Sequence, residues 1–170
     1  MSKIIGIDLG TTYSAIAQLD DLGNPEVLAS TDGNKKITAS IAYIKDKNVI
    51  VGDKALSALT ATPKNVVTET KRQMENDVVF SIEKGQWVDK DESNSTSYSP
   101  AQISSFILSK LKSYTSDVKK AVITVPALFA EKARVATLDA AKMAGIEVIS
   151  LINEPTAAAC YYASLPNVKK

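Results

Sequence analysis

The strongest constraint on the fold is an alternation of apolar and helix-forming segments in the last third of the sequence. Short apolar runs at residues 121–125 and 147–152 each precede a segment with helical character, at 130–144 and 153–162. Gly145 stands just after the first of these helical segments, where a glycine commonly ends a helix. Consecutive strand–helix units of this kind predict helices packed on a β-sheet.

The first third of the sequence has short β-rich runs separated by turn residues. The runs cover residues 4–8, 13–19 and 26–29, and the Asp-Asp-Leu-Gly-Asn-Pro sequence at 20–25 supplies one turn. This pattern predicts a β-meander. A meander joined to strand–helix units predicts an α/β fold with a mixed sheet and flanking helices.

Weaker patterns lie between these two parts of the chain. They predict strands at 40–44 and 49–51, helices at 52–60 and 65–74, and a hairpin at 78–88. A stronger signal follows, because Ser99, Pro100 and Gln102 match a capping box with proline at the first helical position. A helix is therefore expected to begin at Pro100.

Composition excludes several classes of function. The 170 residues are 45% hydrophobic and 23% charged, which is typical of a soluble globular chain, and the formal net charge is +1. There is consequently no broad electrostatic case for binding nucleic acid or a membrane surface. No apolar run approaches the ~18 residues of a transmembrane helix, and the N-terminus lacks the apolar core of a secretory signal, so a cytoplasmic location is expected.

Histidine is absent from the sequence, and Cys160 is its one cysteine. These counts exclude histidine-based zinc sites, Ser-His-Asp and Cys-His mechanisms, and an internal disulfide framework. Cys160 lies in an alanine-rich run, where a small buried thiol is expected. Any chemistry must therefore come from carboxylates, lysines, hydroxyls and backbone amides.

The Asp-Leu-Gly-Thr-Thr segment at 8–12 is the first candidate for chemistry. Asp8 ends a predicted strand, Gly10 permits a close turn, and two threonine hydroxyls follow. Backbone amides and hydroxyls in such a turn can hold phosphate oxygens, and a carboxylate can hold the accompanying Mg²⁺ through water. The segment is not a Walker A loop, and an ordinary tight hairpin stays open as an interpretation.

Three further residues have an ordinary structural interpretation when each is taken by itself. Glu154 falls in the first turn of a predicted helix, where the helix dipole favours a carboxylate. Lys71 lies on a predicted helix and would normally be a solvated charge, and Pro126 would normally mark the end of a strand. A phosphoryl-transfer site, however, needs a cation and a carboxylate that positions the attacking water.

Three segments together resemble the ATPase domain of the 70-kDa heat-shock (DnaK-type) chaperones. Residues 4–12 are similar to the family's first phosphate segment, and residues 121–129 are similar to its connecting segment. Residues 151–159 are similar to its Ile-Asn-Glu-Pro-Thr-Ala-Ala-Ala segment. The three occur in the family's order with similar spacing, and the likeness is weakest between residues 35 and 98.

The resemblance implies a fold and a division into subdomains. The fold is an actin-like ATPase (ribonuclease H-like) lobe, with a mixed sheet, flanking helices and a smaller inserted α+β subdomain. Residues 1–37 and 97–170 would form the core subdomain that carries the phosphate loop, and residues 38–96 would form the inserted one. A second lobe and a substrate-binding domain are expected to lie outside this sequence.

The resemblance also implies a role for each matching residue. Asp8 would bind the Mg²⁺ of ATP or ADP through water, while Lys71 and Glu154 would be catalytic. Pro126 and Arg134 would relay the state of the nucleotide to a substrate domain. The residues that would line the phosphates are Gly10, Thr11, Thr12 and Tyr13.

The implied function is that of the ATPase lobe of a molecular chaperone, which couples ATP binding and hydrolysis to the binding and release of unfolded polypeptides. The implied partners are these clients, a J-domain co-chaperone and a nucleotide-exchange factor, with no nucleic acid and no membrane. Because one lobe supplies half of a two-lobed site, we expect weak nucleotide binding and negligible ATPase activity from these residues alone. An exposed apolar face and a tendency to self-associate are also expected.

The sequence departs from the family pattern at two places. It has Gln-Met-Glu-Asn at 73–76, where the family usually has Leu-Ile-Gly-Arg. It has Leu-Phe-Ala-Glu at 128–131, where the family usually has an aromatic residue, Phe, Asn and Asp. These changes leave the phosphate loop intact, but they bear on the placement of Lys71 and on the switch around Pro126.

Two alternatives remain open at this point. One is a naturally short chaperone-like binding or regulatory protein without catalysis. The other is a different actin-like ATPase, such as a sugar kinase or a filament protein. The segment at 8–12 alone allows the latter, whereas the segments at 123–129 and 153–159 argue against it. An open reading frame that continues beyond residue 170 would distinguish a fragment from a short protein.

Overall fold

Strands and helices follow one another along residues 3–92 and 96–165, which are the residues that the computed structural model describes. In chain order the strands are β1 (Lys3–Asp8), β2 (Tyr13–Leu19), β3 (Pro25–Val27), β4 (Thr38–Ala39), β5 (Ala42–Lys45), β6 (Asn48–Val51), β7 (Val66–Val67), β8 (Val78–Ser81), β9 (Gln86–Asp89), β10 (Ser97–Tyr98), β11 (Val118–Val125) and β12 (Glu147–Asn153). The α-helices are α1 (Asp53–Ser57), α2 (Pro100–Lys112), α3 (Glu131–Met143) and α4 (Glu154–Ser164).

The main sheet is mixed. Within the described ranges its strand order is β12–β11–β1–β2–β3, and β4 pairs with β2. Strands β1, β11 and β12 run parallel, whereas β2 is antiparallel to both β1 and β3. The leading meander is therefore joined to parallel strand–helix units, and the α/β fold with a mixed sheet and flanking helices is confirmed.

One face of this sheet is buried and the other is open. Along β1, alternate side chains such as Ile5 and Ile7 are almost fully buried, whereas Ile4 and Asp8 are exposed. Helices α2 and α3 cover the buried face, and burying each such aliphatic side chain contributes about 1.5–3 kcal/mol. The apolar residues that α2 and α3 add to this core are Ile103, Ile107, Leu108, Leu111, Ala140 and Ala141.

The ends of the helices follow the sequence signals closely. The Ser99 hydroxyl accepts a hydrogen bond from the Gln102 backbone N–H at 3.2 Å, and the Gln102 side chain accepts one from the Ser99 N–H at 2.8 Å. This is the predicted capping box, and α2 begins at Pro100 as expected. Gly145 follows α3 with φ 67°, a conformation that glycine adopts at little cost.

The predicted helix at 65–74 is wrong. Val66 and Val67 instead form β7, which pairs with β5, and a short 3₁₀ turn (Thr70–Gln73) follows. Both valines are buried, and pairing as an edge strand buries them together in a way that suits β-branched side chains. The segment also enters its turn through Glu69, whose left-handed φ of 53° interrupts any helix.

Other boundaries in the middle of the chain were also misplaced. The strand predicted at 40–44 begins two residues later, as β5, which pairs with β6 and β7. Strand β4, just before it, was not predicted and pairs with β2 of the main sheet. The helix predicted at 52–60 is reduced to α1. Within the described ranges, the three-stranded antiparallel sheet β6–β5–β7 spans residues 42–67, and a second one, β10–β8–β9, spans residues 78–98. The division of the chain into a core subdomain and an inserted one at residues 38–96 stays a prediction.

The expectation of a buried Cys160 is wrong. Cys160 lies on α4 and is exposed. None of the residues of α4 that the structure describes is buried, because this helix contacts only strands β11 and β12 closely. An alanine-rich run therefore indicated helix but did not indicate burial. Among the described residues, no helix is both long and apolar enough to cross a membrane.

Candidate functional site

The parallel strands bring three of the predicted site residues to one edge of the sheet. Asp8, at the end of β1, is in register with Thr124 of β11, and Thr124 is in register with Ile152 of β12. Pro126 and Glu154 follow directly after β11 and β12. In open α/β sheets, ligands commonly bind at the carboxyl ends of the strands, and this edge is such a place.

The Asp8 carboxylate is exposed at this edge. Its Oδ1 accepts a hydrogen bond from the Thr124 hydroxyl at 2.9 Å, which orients the carboxylate. The sequence interpretation missed Thr124 as a site residue, although a polar side chain inside an otherwise apolar strand was a usable signal. The bond leaves Asp8 accessible to a ligand while limiting its rotation.

The turn after β1 depends on Gly10. A Cβ at this position would lie 2.0 Å from the Tyr13 carbonyl oxygen, so only glycine permits the approach. The Gly10 N–H donates to the Ser14 hydroxyl at 3.1 Å, and the Ser14 and Ser40 hydroxyls are 2.8 Å apart. Gly10 therefore supplies space in the turn, and its N–H is used to hold the turn in place.

The other predicted phosphate-lining residues stand at the surface of the turn. Thr12 and Tyr13 are exposed and Thr11 is half-buried. Ser14 and Ser40 are buried beneath them and were missed by the sequence interpretation. Ser40 is 26 residues from Ser14, so no local pattern could have connected the two.

Lys71 and Glu154 form an ion pair across 83 residues of sequence, from the Lys71 ammonium to Glu154 Oε1. The Lys71 side chain is 8% exposed and that of Glu154 is 40% exposed. Lys71 also lines a small cavity together with Gly10 and Thr11, so the pair lies beside the turn. The structure thus brings together the predicted cation, the predicted carboxylate and the predicted phosphate loop.

Arg134 connects the loop after β11 to the start of α4. Its Nε donates to the Phe129 carbonyl at 3.1 Å, and its Nη2 donates to Asn153 Oδ1 at 2.8 Å. The Phe129 N–H in turn donates to the Pro126 carbonyl at 3.1 Å. Pro126 and Arg134 are therefore linked through Phe129, and Asn153, immediately before Glu154, is a contact that the sequence did not indicate.

The donor set at this edge fits Mg²⁺ held mainly by water and phosphate. In the part of the chain that the structure describes, no group of three or more Asp, Glu, His or Cys residues could hold a metal ion. Mg²⁺ keeps several waters and commonly takes one or two carboxylates plus phosphate oxygens. The exposed Asp8 carboxylate, beside a turn whose Gly10 has no Cβ, suits that arrangement.

The open face of the main sheet is apolar beside this edge. A cavity of about 300 Å³ lies over β1, β2 and β11, and Ala157 of α4 forms part of its wall. Apolar or small residues on this face are Ile4, Gly6, Ala15, Ala17, Leu19, Val27, Val122 and Ile152, and polar or charged residues on it are Asp8, Lys120, Thr124, Glu147 and Ser150. We call this surface the open face.

The sequence profile of the family described as Hsp70 protein matches residues 4–165. The chain belongs to the Hsp70 family. The Chaperone protein DnaK of Carsonella ruddii (strain PV) is 42% identical to this Hsp70 chain over an alignment of 183 positions. The alignment covers 95% of the chain and 30% of the relative, so the chain spans about a third of the length of the curated relative it matches.

Membership of the Hsp70 family confirms the resemblance drawn from the three motifs. It also confirms the actin-like ATPase fold, to which the mixed sheet and its flanking helices conform. Proteins of this family are ATP-binding heat-shock chaperones that act in protein folding. The roles assigned to individual residues stay predictions.

Proposed function

We propose that this chain supplies one side of the ATP site of an Hsp70-type chaperone. The observation that carries the proposal is the Lys71–Glu154 ion pair, which lies beside the turn at 8–12 and at the carboxyl edge of the parallel strands. A phosphate-holding turn, a cation and a water-positioning carboxylate are the parts that hydrolysis of ATP to ADP and phosphate requires.

Each residue has a distinct part in this proposal. The turn containing Thr11, Thr12 and Tyr13 holds phosphate oxygens, and Gly10 lets the backbone approach them. Lys71 supplies positive charge near the transferred phosphoryl group and orients Glu154, whose partly exposed carboxylate positions the attacking water. These roles rest on the positions described above and on electrostatic preorganisation by groups fixed before the reaction.

Asp8 is the residue that would hold Mg²⁺, through water. When bound with ATP or ADP, Mg²⁺ would neutralise negative charge on the phosphate oxygens. Asp8 remains oriented for this contact by the Thr124 hydroxyl.

The segment from Pro126 to Arg134, which comprises the loop after β11 and the first turn of α3, is the proposed route by which the nucleotide state reaches a substrate-binding domain. Arg134 contacts both Phe129 in this loop and Asn153 beside Glu154. A displacement of Glu154 would therefore also displace the loop. In the protein that contains this chain, we propose unfolded polypeptides as clients, with a J-domain co-chaperone and a nucleotide-exchange factor as partners. The proposed location is the cytoplasm.

The nucleotide site can be tested by titrating the isotope-labelled chain with Mg·ATP and following amide chemical shifts. We expect weak binding, with shift changes clustered at residues 9–13, Lys71 and Glu154. Binding is weak because one side of the ligand stays in water, where charges are strongly screened. Asp8→Asn should remove the Mg²⁺-dependent part of the changes, and Asp21→Asn, in an exposed turn, should leave them intact.

The same sample should show negligible ATP turnover, because catalysis needs charges on both sides of the γ-phosphate. A turnover near that of an intact ATPase domain would contradict the one-sided site. Shift changes spread over the chain, or unchanged by Asp8→Asn, would contradict the proposed position of the phosphates.

Self-association through the open face is a further proposal, because an apolar surface of this kind favours contact with another apolar surface. We expect sedimentation velocity to show a concentration-dependent increase in mean mass. Leu19→Lys, on the open face at 65% exposure, should reduce it, whereas Leu22→Lys, in the β2–β3 turn at 86% exposure, should not. A strictly monomeric profile at high concentration would exclude this proposal.

A further inference from the structure

Helix α3 begins without a cap from its own sequence. The N-cap residue is Ala130, which has no side-chain oxygen to accept a hydrogen bond from the first turn. The carboxylate of Glu75, 55 residues earlier in the chain, comes to this position instead. Its Oε1 accepts a hydrogen bond from the Ala130 N–H at 3.0 Å.

Two segments that are far apart in the sequence therefore meet in space. Glu75 stands in the segment 73–76 and Ala130 in the segment 128–131, which are the two segments named in the sequence analysis as bearing on Lys71 and Pro126. A negative charge at a helix N-terminus is stabilised by the unpaired N–H groups and the helix dipole. The Glu75 carboxylate thus accepts from the N–H of the N-cap residue, as the Glu or Gln of a capping box does, but it comes from a distant segment.

The contact of Glu75 also closes a ring of contacts around the site. Glu75 holds the start of α3, Arg134 of α3 holds Asn153, and the next residue, Glu154, pairs with Lys71. Lys71 and Glu75 belong to the same short segment, residues 70–77. Met74, between them, is buried and accepts a hydrogen bond from the Ser104 hydroxyl of α2 at 3.7 Å from its sulfur.

We propose that Glu75 is a positioning residue, which caps α3 from outside the helix and ties the segment that carries Lys71 to the helix that carries Arg134. The functional part of this proposal rests on the proposed function, because it requires that Lys71 and Glu154 act on phosphate. Its structural content, that Glu75 controls both the first turn of α3 and the setting of Lys71, does not depend on any nucleotide.

A neighbouring ion pair supplies a matched control. Asp77 lies two residues after Glu75, and its carboxylate is 2.7 Å from the Lys132 ammonium in the first turn of α3. The hydrogen bond from Lys132 lowers the pKa of Asp77. Glu75 is exposed as well, but its carboxylate accepts from a fixed backbone N–H. The Asp77–Lys132 pair joins two largely exposed side chains and contributes little, so its removal should not disturb the site.

The test is nuclear magnetic resonance of the 170-residue chain without nucleotide, with two readouts. The first is hydrogen exchange of the Ala130 amide, which donates to Glu75, and of the Arg134 amide, which donates to the Ala130 carbonyl in the first backbone bond of α3. The second is the side-chain ¹⁵N–¹H signal of the Lys71 ammonium at low temperature. Glu75→Ala should accelerate the amide exchange roughly five- to tenfold, the size of a lost cap, and should broaden or shift the Lys71 signal. Asp77→Asn should change neither readout.

Two further variants separate positioning from capping. Ala130→Asn in the Glu75→Ala background supplies a local cap for the first turn, so it should restore slow exchange of the Arg134 amide without restoring the Lys71 signal. Glu75→Gln keeps an acceptor oxygen, so it should preserve most of the Lys71 signal even if Glu75→Ala folds poorly.

Restoration of both readouts by Ala130→Asn would reduce Glu75 to a helix cap and overturn the positioning role. Unchanged readouts in Glu75→Ala would overturn the whole proposal.

Discussion

Gly10→Ala is expected to destabilise the chain by about 2–3 kcal/mol, which is the usual cost of forcing extra atoms into a packed region. The added Cβ would lie 2.0 Å from the Tyr13 carbonyl oxygen and 3.1 Å from its carbon. Because both clashing atoms belong to the backbone, no side-chain rotation can relieve the contact, and the turn must move. Movement of the turn weakens the bond from the Gly10 N–H to Ser14 and the Ser14–Ser40 contact beneath it.

Gly6 provides the control for this substitution, because it lies on β1 and a Cβ there meets no described atom within 4 Å. Gly6→Ala should be neutral or stabilising by up to about 1 kcal/mol, since alanine lowers the entropy of the unfolded chain. Urea denaturation compares the two variants directly through the midpoint and slope of the transition. Equal midpoints for Gly10→Ala and Gly6→Ala would show that the turn does not need the close approach.

The elements that the sequence predicted well are those whose determinants are local. The start of α2 depends on Ser99, Pro100 and Gln102, which are separated by at most three residues. The end of α3 depends on one glycine, Gly145, and the strands of the main sheet show a clear apolar pattern. Local hydrogen bonds and side-chain periodicity act over a few residues, so a sequence displays them without any knowledge of the tertiary contacts.

The elements that the sequence mispredicted are those whose conformation is decided by distant partners. Residues 65–74 have enough helical character to suggest a helix, but Val66 and Val67 pair with β5 and the following turn is held by contacts far along the chain. Tertiary packing regularly overrides weak local propensity of this kind. Cys160 illustrates the same limit, because burial depends on what lies over α4 and not on its alanines.

The candidate site shows the same division between local and distant determinants. Asp8 and Gly10 were indicated by local chemistry, since a carboxylate and a glycine end a predicted strand. Lys71 had no local signal, and only the family resemblance pointed to it. Ser40 supports the site from 26 residues away and could be found only from the structure. Thr124 had a local signal, but its contact with Asp8 across 116 residues could be found only from the structure.

Glu154→Ala is expected to cost about 2–3 kcal/mol of stability, and Lys71→Met is expected to cost less than about 1 kcal/mol. The asymmetry arises from burial. Lys71 is 8% exposed, so removal of Glu154 leaves an ammonium group in a place where water cannot replace the lost carboxylate. Glu154 is 40% exposed, so water can solvate it when Lys71 is replaced, and methionine fills most of the space of the lysine stem.

The double variant Lys71→Met/Glu154→Ala tests this explanation, because it removes both charges and leaves neither unpaired. Its urea midpoint should lie near that of Lys71→Met and above that of Glu154→Ala, so the double variant should lose much less stability than the sum of the two single losses. Arg72→Ala is the matched control, because Arg72 pairs with Glu69 at 3.0 Å on the exposed surface. This substitution should lower the free energy of unfolding by less than about 0.5 kcal/mol. If Lys71→Met were as destabilising as Glu154→Ala, each charge would be equally costly to leave without its partner. The difference in exposure between the two side chains could then not be what makes Glu154 the more costly residue to remove, and the burial of the Lys71 ammonium would not be the reason for the pair.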